Sequence, residues 1–268
     1  MPELPEVETI RRDLFAQILN KRIKLIEVFK PKTFRNSVNL KYCGEVINIR
    51  RTGKYLFLDI KKKCTLIIHL RMTGKLVYIK QDPLLESIGL NPKHISSIIH
   101  FDSNERLIFH DPRIFGYLEI VPFLEPFTQT GIDALAPDFT IDYLNHICSK
   151  RKVPVKNLLL DQKLIAGIGN IYAQEILFYA KINPLKLGKN LSAKELKLIH
   201  RYTLEILLLA INHNGTSISD FRRIDDKTGD FQNFLQVYQK QICPKCHQQL
   251  TRIKQSGRTT TYCANCQK

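Results

Sequence analysis

The segment Asp161-Gln-Lys-Leu-Ile-Ala-Gly-Ile-Gly-Asn-Ile-Tyr-Ala173 separates two helical patterns by a glycine-containing turn. Apolar residues at helical spacing predict one helix over Val155–Leu160 and a second over Ile171–Ala180. We expect Asn170 to cap the second helix, where free backbone N–H groups form an anion site. A third helix is predicted over Leu191–Ala210, so this half of the chain is helical.

Toward the N-terminus the pattern changes from helical to extended. A first helix is expected from Leu4 to about Leu19, because apolar residues recur at helical spacing after Pro5 and an acidic turn. Eight short runs rich in β-branched and aromatic residues follow: Lys24–Phe29, Val46–Arg50, Tyr55–Ile60, Thr65–Leu70, Leu76–Ile79, Ser97–Phe101, Leu107–His110 and Tyr117–Val121. This density of strands favours a β-sandwich over βαβ units.

The C-terminus carries four of the seven cysteines as two knuckles, Cys243-Pro-Lys-Cys246 and Cys263-Ala-Asn-Cys266. Four thiolates at this spacing predict one structural Zn²⁺ in tetrahedral coordination, with no open position for catalysis. An iron–sulfur or redox pair is the alternative. Between the knuckles, a basic hairpin tip is predicted around Gly257, and this tip either is solvated or contacts phosphate. Its basic residues are Arg252, Lys254 and Arg258.

Composition limits the partners of the chain. Its 41 Lys and Arg against 25 Asp and Glu give a net charge of +16, so nucleic acid or an anionic membrane surface is the expected partner. No apolar segment is long enough to span a membrane, and the acidic first 20 residues do not form a secretory signal. We therefore expect a cytoplasmic protein in a reducing compartment.

Three separated stretches together resemble one family. They are the opening Met1-Pro-Glu-Leu-Pro-Glu-Val-Glu8, the segment 161–173 and the four-cysteine hairpin, and in this order they resemble formamidopyrimidine-DNA glycosylase over essentially the whole chain. The resemblance implies an α+β, multidomain fold. We expect an N-terminal β-sandwich flanked by helices over residues 1–122 and a linker over 123–140. A helix-two-turns-helix DNA-binding domain over 141–234 and a zinc-finger β-hairpin over 235–268 complete this prediction.

The resemblance also implies a nucleophile, the amine of Pro2 after loss of Met1. A free N-terminal amine has a pKa near 8, so about a tenth of it is neutral at pH 7, whereas a lysine is almost wholly charged. Such an amine can attack the sugar C1′ and expel the base. Glu3 and Glu6 are the expected proton-transfer acids, although both suit the N-terminal dipole of the first helix.

Further residues are assigned to DNA by the same resemblance. Met72 and Phe115 would fill the gap left by a flipped base, and Arg113 would contact the partner base; the alternative for the two apolar residues is a core role. Phosphate contacts are expected from residues that match the family's motifs or lie near them: Lys54, Lys156, Asn170 and Arg258. The resemblance also assigns Lys54 to the catalytic residues, together with Pro2, Glu3 and Glu6. Glu175 is expected to be structural support.

The loop from Asn214 to Phe231 matches the segment that closes over the extruded base, with Ser219 where the family has a basic residue. The expected function is base excision repair of duplex DNA containing oxidised purines or abasic sites, by a monomer that combines glycosylase and lyase chemistry. Two alternatives remain, an endonuclease VIII-like enzyme for oxidised pyrimidines and a catalytically silent zinc-ribbon DNA-binding protein. Pro2-Glu-Leu-Pro-Glu6 with the methionine–arginine–phenylalanine set favours the purine enzyme.

Overall fold

A computed structural model describes residues 1–36, 39, 41–61, 63–80, 89–123, 127–218 and 221–268. The fold is α+β, as predicted. The chain divides into two compact units: the first consists of Met1–Phe127 with Asn214–Asp230, and the second of Thr128–His213 with Phe231–Lys268. The sequence analysis included the loop after Asn214 in the helical part, whereas its contacts group it with the β-rich first unit.

The first unit begins with helix α1, Leu4–Ile18, close to the predicted range. Pro5 occupies the first turn, where a missing N–H costs nothing, and Glu6 complements the helix dipole there. The apolar residues at helical spacing, from Val7 to Ile18, are buried on one face. Burial of this face fixes the helix against the sheet.

In the described part of the chain, the first unit contains nine strands that form one sheet. The strands are β1 Arg22–Val28, β2 Phe34–Arg35, β3 Gly44–Thr52, β4 Tyr55–Ile60, β5 Cys64–His69, β6 Lys75–Ile79, β7 Ile95–Phe101, β8 Arg106–His110 and β9 Tyr117–Pro122. Their order across the sheet is β2-β9-β5-β4-β3-β1-β7-β8-β6, and only the β2–β9 pair is parallel. All eight predicted strands are present. Among the nine described strands of this sheet, only the two-residue β2 was not predicted.

One apolar core joins the two halves of this sheet. Residues of β3, β4, β5 and β9 share a buried cluster with residues of β1, β6, β7 and β8, and α1 contributes to the same cluster. Such a shared core requires the two halves to face each other, as in a sandwich. Phe221 and Ile224, from the loop after Asn214, are also part of this cluster.

The second unit contains four helices, α2 Ile141–Cys148, α3 Val155–Leu160, α4 Asn170–Tyr179 and α5 Ala193–Asn212. Short strands β10 Ile132–Asp133 and β11 Ile165–Ala166 pair in parallel, so the predicted linker is partly structured. The prediction that Asn170 caps α4 was wrong. Gly169 is the N-cap, and Asn170 is the first helical residue, whose amide is engaged elsewhere.

The hairpin of strands β12 Thr251–Gln255 and β13 Arg258–Tyr262 ends the second unit. Ser256 and Gly257 both have positive φ, the geometry that a two-residue type I′ turn requires. The cysteine region packs on the helices through a cluster that includes Phe178 of α4. Among the described residues, no helix is both long and apolar enough to cross a membrane.

Candidate functional site

Two buried carboxylates lie at the start of α1. Glu3 and Glu6 are only 4% and 2% exposed, and Pro2 beside them is buried. Glu6 Oε2 accepts a hydrogen bond of 2.7 Å from the backbone N–H of Glu3, and Oε1 accepts one of 2.7 Å from Thr216. Burying a carboxylate costs free energy unless it is hydrogen-bonded. The hydrogen bonds to Glu6 offset part of this cost for the acidic cluster of Glu3 and Glu6.

The loop after Asn214 passes close to this acidic cluster. Gly215 has φ +79°, and a Cβ added there would lie 2.9 Å from Glu6 Oε1 and 3.0 Å from its Cγ. A side chain at this position would therefore both strain the backbone and displace Glu6. The loop is fastened further along by a bidentate ion pair between Arg223 and Asp13, at 2.7 and 3.0 Å.

Lys54 lies on the two-residue turn between β3 and β4, where Thr52 pairs with Tyr55. Gly53 has φ +57°, as the first loop residue of a type II′ hairpin requires. The Lys54 side chain is buried, with 5% exposure. The turn therefore fixes the backbone from which this buried side chain extends.

Met72, Arg113 and Phe115 form one exposed cluster. Met72 is 42% and Phe115 52% exposed, so neither is a core residue. Arg113 Nη1 lies 3.5 Å from Met72 Sδ, and its guanidinium lies 4.9 Å from the centroid of the Phe115 ring. Large apolar side chains grouped with a cation at the surface are typical of a binding site.

Asp111 organises the loop that carries two of these residues, a role that the sequence analysis did not identify. It is fully buried, and its carboxylate accepts hydrogen bonds from the backbone N–H groups of Arg113, Phe115 and Gly116 at 3.2, 2.8 and 2.7 Å. The Thr73 hydroxyl donates to Asp111 Oδ1 at 2.5 Å. The only signal in the sequence is an aspartate before proline, which favours a turn.

His69 holds the other loop of the exposed cluster. Its Nδ1 accepts a hydrogen bond of 3.0 Å from the backbone N–H of Arg71, which has φ +54°. Burial, followed by the charges of Arg71 and Lys54, lowers the pKa of His69 to about 3. The imidazole is therefore neutral at physiological pH, as an acceptor at Nδ1 must be.

In the second unit, Lys156 and Asn170 are in direct contact. Lys156 is fully buried, and its Nζ donates to Asn170 Oδ1 at 2.7 Å and to the Thr260 hydroxyl at 2.8 Å. Asn170 Nδ2 donates to the Thr259 carbonyl at 3.1 Å. The amide of Asn170 is thus fixed between α3 and the hairpin.

A cavity of about 360 Å³ brings Asn170 together with Arg258. Arg252, Tyr238 and two threonines of β13 also line it. Arg258 is exposed at the start of β13. Two arginines beside the N-terminus of α4 make a cavity suited to a phosphate group. The sequence analysis placed Arg252 in the basic hairpin tip but assigned a DNA contact only to Arg258.

Glu175 has the supporting role that the sequence analysis assigned to it. Its carboxylate is 1% exposed and accepts backbone hydrogen bonds from Gln236, Val237 and Tyr238 at 2.8, 3.0 and 2.9 Å. Burial raises its pKa, although these three hydrogen bonds oppose the shift. Glu175 therefore fastens the segment that leads into the cysteine hairpin. Ser219, which stands where the family has a basic residue, lies outside the described residues.

The four cysteines converge as their spacing predicts. The Sγ atoms of Cys243, Cys246, Cys263 and Cys266 all lie within 4.8 Å of one another. The Cys246–Cys263 and Cys243–Cys266 pairs are 3.4 and 3.9 Å apart. Thiolates 2.3 Å from a tetrahedral ion are separated by roughly 3.8 Å, so this cluster can bind a metal ion.

Models of known protein families match most of the first unit and part of the second. Residues 1–118 match the formamidopyrimidine-DNA glycosylase N-terminal domain, and residues 130–222 match the formamidopyrimidine-DNA glycosylase H2TH domain. The formamidopyrimidine-DNA glycosylase of Carboxydothermus hydrogenoformans is 40% identical, and that of Desulforamulus reducens is 37% identical. The alignments cover 100% of this chain and, respectively, 100% and 99% of the relatives.

Solved structures agree with these sequence comparisons. The MutM (Fpg) protein of Thermus thermophilus has a TM-score of 0.86 at 31% identity, with 99% of this chain and 98% of that chain covered. Lactococcus lactis Fpg in complex with DNA containing an abasic site has a TM-score of 0.88 at 34% identity, with 99% of both chains covered. A point mutant of that protein with Fapy-dG-containing DNA has a TM-score of 0.89 at 34% identity and covers 99% of both chains.

The two matched domains define one class of protein, the glycosylases with an H2TH domain. The chain belongs to the formamidopyrimidine-DNA glycosylase family.

Proposed function

We propose that this chain is a bifunctional DNA glycosylase and AP lyase of base excision repair that removes oxidised purines, 8-oxoguanine and formamidopyrimidines, from duplex DNA. The observation that carries the proposal is the buried acidic cluster of Glu3 and Glu6 directly after Pro2. Relatives of this chain have been solved with Fapy-dG-containing and abasic DNA, which supports such a substrate.

The proposed nucleophile is the secondary amine that Pro2 exposes when Met1 is removed. Its lone pair forms a bond to C1′ as the glycosidic bond breaks, and the departing base takes the bonding pair and a proton. The attached amine then loses its proton and its lone pair forms a C=N bond to C1′ as the C1′–O4′ bond breaks, and O4′ takes up a proton. The product is an iminium that links Pro2 to the opened sugar. Loss of a C2′ proton expels the 3′ phosphate, and a second elimination expels the 5′ phosphate.

Glu3 is proposed as the group that exchanges protons with the sugar, and Glu6 as the acid beside it. Lys54, buried on its turn, is proposed to hold a phosphate near the reacting sugar. A general acid or base placed in this way contributes roughly 10²–10⁴-fold to a rate.

The exposed cluster is proposed to open the duplex. Met72 and Phe115 enter the base stack when the damaged nucleotide is flipped out, and Arg113 contacts the base left behind. Asn170 and Arg258 are proposed to bind the DNA backbone from the cavity they share. Lys156 is proposed to act on DNA through Asn170, because its ammonium is buried against that amide. The excess of positive charge supports binding to a polyanion.

The proposed metal is one structural Zn²⁺ held by Cys243, Cys246, Cys263 and Cys266. The sulfur spacing and the all-thiolate ligand set fit zinc. The ion would fasten the hairpin that carries Arg258. We further propose that the protein acts as a monomer on double-stranded DNA in the cytoplasm, at the nucleoid.

Borohydride reduction tests this function directly. Protein whose mass confirms loss of Met1 is mixed with an 8-oxoguanine duplex and reduced, and a covalent protein–DNA adduct is expected. Protein that retains Met1 should give no adduct with Pro2, because the Pro2 nitrogen is then an amide, and Pro5→Ala should retain the adduct, because Pro5 lies inside α1. Processed wild-type protein that yields no adduct would falsify the proposal. Thymine-glycol duplexes run in parallel separate this function from an oxidised-pyrimidine enzyme.

A further inference from the structure

Glu8 on α1 is held by three arginines from two elements of the first unit. Arg11 lies one turn further along α1 and bonds Glu8 at 2.9–3.1 Å. Arg12 Nε contacts Glu8 Oε1 at 3.1 Å, and Arg51 Nε of β3 contacts Oε2 at 3.1 Å. Burial opposes ionisation of Glu8, but the bonds and charges of these arginines outweigh it and lower its pKa. Glu8 is therefore a carboxylate at neutral pH.

Arg51 differs from the other two arginines because its second donor reaches the turn of Lys54. Its Nη1 donates to the Gly53 carbonyl at 3.0 Å, while Nε bonds Glu8. This carbonyl belongs to the peptide plane that joins Gly53 to Lys54. Since a peptide unit is planar, fixing its oxygen fixes the direction in which the backbone enters Lys54.

The connection between α1 and this turn is short and mostly removed from water. The Arg51 and Glu8 side chains are 9% and 12% exposed, so solvent screens their interaction less than it does on the surface. Helix α1 starts beside Pro2 and Glu3, and Lys54 is buried on its turn. One ion pair thus joins the helix of the proposed nucleophile to the turn of the proposed phosphate-binding lysine.

We propose that Glu8 and Arg51 are positioning residues that hold the Lys54 turn in register with the start of α1. This inference rests on the proposed function. It assigns to Arg51 two simultaneous bonds, one to Glu8 and one to the Gly53 carbonyl. A lysine at this position keeps the charge but lacks the planar fork that serves both acceptors.

The test compares Arg51→Lys with the matched control Arg12→Lys. Both variants keep the net charge and remove a guanidinium from Glu8, but Arg12 bonds Glu8 from an exposed position, with its side chain 53% exposed. Single-turnover excision is measured at saturating enzyme, together with the affinity for the same lesion duplex and the melting temperature. Arg51→Lys should slow excision about tenfold, and Arg12→Lys should stay within about twofold of wild type, because small misplacements near reacting groups are costly.

A double-mutant cycle with Lys54→Gln distinguishes positioning from general stability. If Arg51 acts through Lys54, Arg51→Lys should have little further effect on excision in the Lys54→Gln protein. Full additivity of the two changes would overturn the inference, as would equal effects of Arg51→Lys and Arg12→Lys. Glu8→Gln, which keeps the shape of the side chain, provides the same test should Arg51→Lys lower the melting temperature. Wild-type protein that forms no borohydride adduct would instead contradict the proposed function itself.

Discussion

The acidic start of α1 and the cluster of Met72, Arg113 and Phe115 belong to the same unit but have opposite relations to water. The ionisable side chains of Glu3 and Glu6 are buried, whereas the apolar side chains of Met72 and Phe115 are exposed. Each arrangement costs stability unless something compensates. Hydrogen bonds within the chain compensate the buried acids. The apolar cluster gains most from a partner, and under the proposed function a duplex with a flipped-out base supplies one.

This difference implies that mutations in the two regions should impair different steps, either the chemical step or DNA binding. Changes in the acidic cluster should alter the chemical step with little effect on binding, and changes in the exposed cluster should alter the complex with DNA with little effect on folding. The predictions below test that separation.

The largest effect is expected from Glu3→Gln. The substitution keeps the shape of a buried side chain but removes an acid, so single-turnover excision of 8-oxoguanine should fall by roughly 10²–10⁴-fold. Affinity for the lesion duplex should change by only a few fold. Glu45→Gln, an exposed carboxylate on β3 paired with Lys61, is the control and should behave as wild type. An unchanged excision rate in Glu3→Gln would remove that residue from the mechanism.

Asp111→Asn should affect both folding and DNA binding. An asparagine can no longer accept all the bonds that the buried carboxylate takes from Thr73, Arg113, Phe115 and Gly116. We expect the free energy of unfolding in urea to fall by about 2 kcal/mol. Asp102→Asn, at an exposed ion pair, should cost far less. If the two variants are equally stable, Asp111 does not organise the loop as described.

Phe115→Ala should weaken binding to an abasic-site duplex about tenfold, because one base–aromatic stacking contact contributes roughly 1–3 kcal/mol. The free energy of unfolding should stay within about 0.5 kcal/mol of wild type, as for other exposed positions. Phe29→Ala provides the control, since Phe29 is 48% exposed in the same unit but outside the cluster. Equal losses of affinity in both variants would argue against a wedge at Phe115.

The smallest effect concerns pH. His69 has a pKa lowered to about 3, whereas an unfolded histidine titrates near 6.5. Below pH 7 the unfolded chain therefore takes up a proton that the folded chain refuses, and stability is lost as pH falls. The stability difference between wild type and His69→Gln should shrink by about 0.7 kcal/mol between pH 7 and pH 6 in urea unfolding. A constant difference would show that His69 titrates alike in both states.

Local patterns allowed much of the fold to be predicted. Alternating and helical periodicities located α1, α3, α4, α5 and eight strands of the first unit, because burial imposes those periods on the sequence. The brief helix α2, the two-residue strands and the N-cap at Gly169 were missed or misassigned. The two-residue strands are too short to carry a period, whereas α2 has Leu144, Ile147 and Cys148 at helical spacing and was overlooked. At Asn170, contacts with the hairpin replaced local capping.

The candidate site was less accessible from sequence, because its contacts join distant positions. The hydrogen bond from Thr216 to Glu6 spans 210 residues, and no local pattern indicates it. Met72 and Phe115 were nominated by family resemblance, and their exposure distinguishes them from core residues. Asp111 and Arg51 were missed because each acts by hydrogen-bonding backbone groups of a turn or loop. The sequence pattern does not show these hydrogen bonds.

The central claim is that the N-terminal secondary amine is the nucleophile, and the most direct measurement locates the covalent bond. The borohydride-reduced adduct with an 8-oxoguanine duplex is digested with nuclease and protease, and the modified peptide is sequenced by mass spectrometry. The account predicts that the sugar remnant is attached to the nitrogen of Pro2 in chains that lack Met1. A remnant on a lysine, Lys54 included, would contradict it.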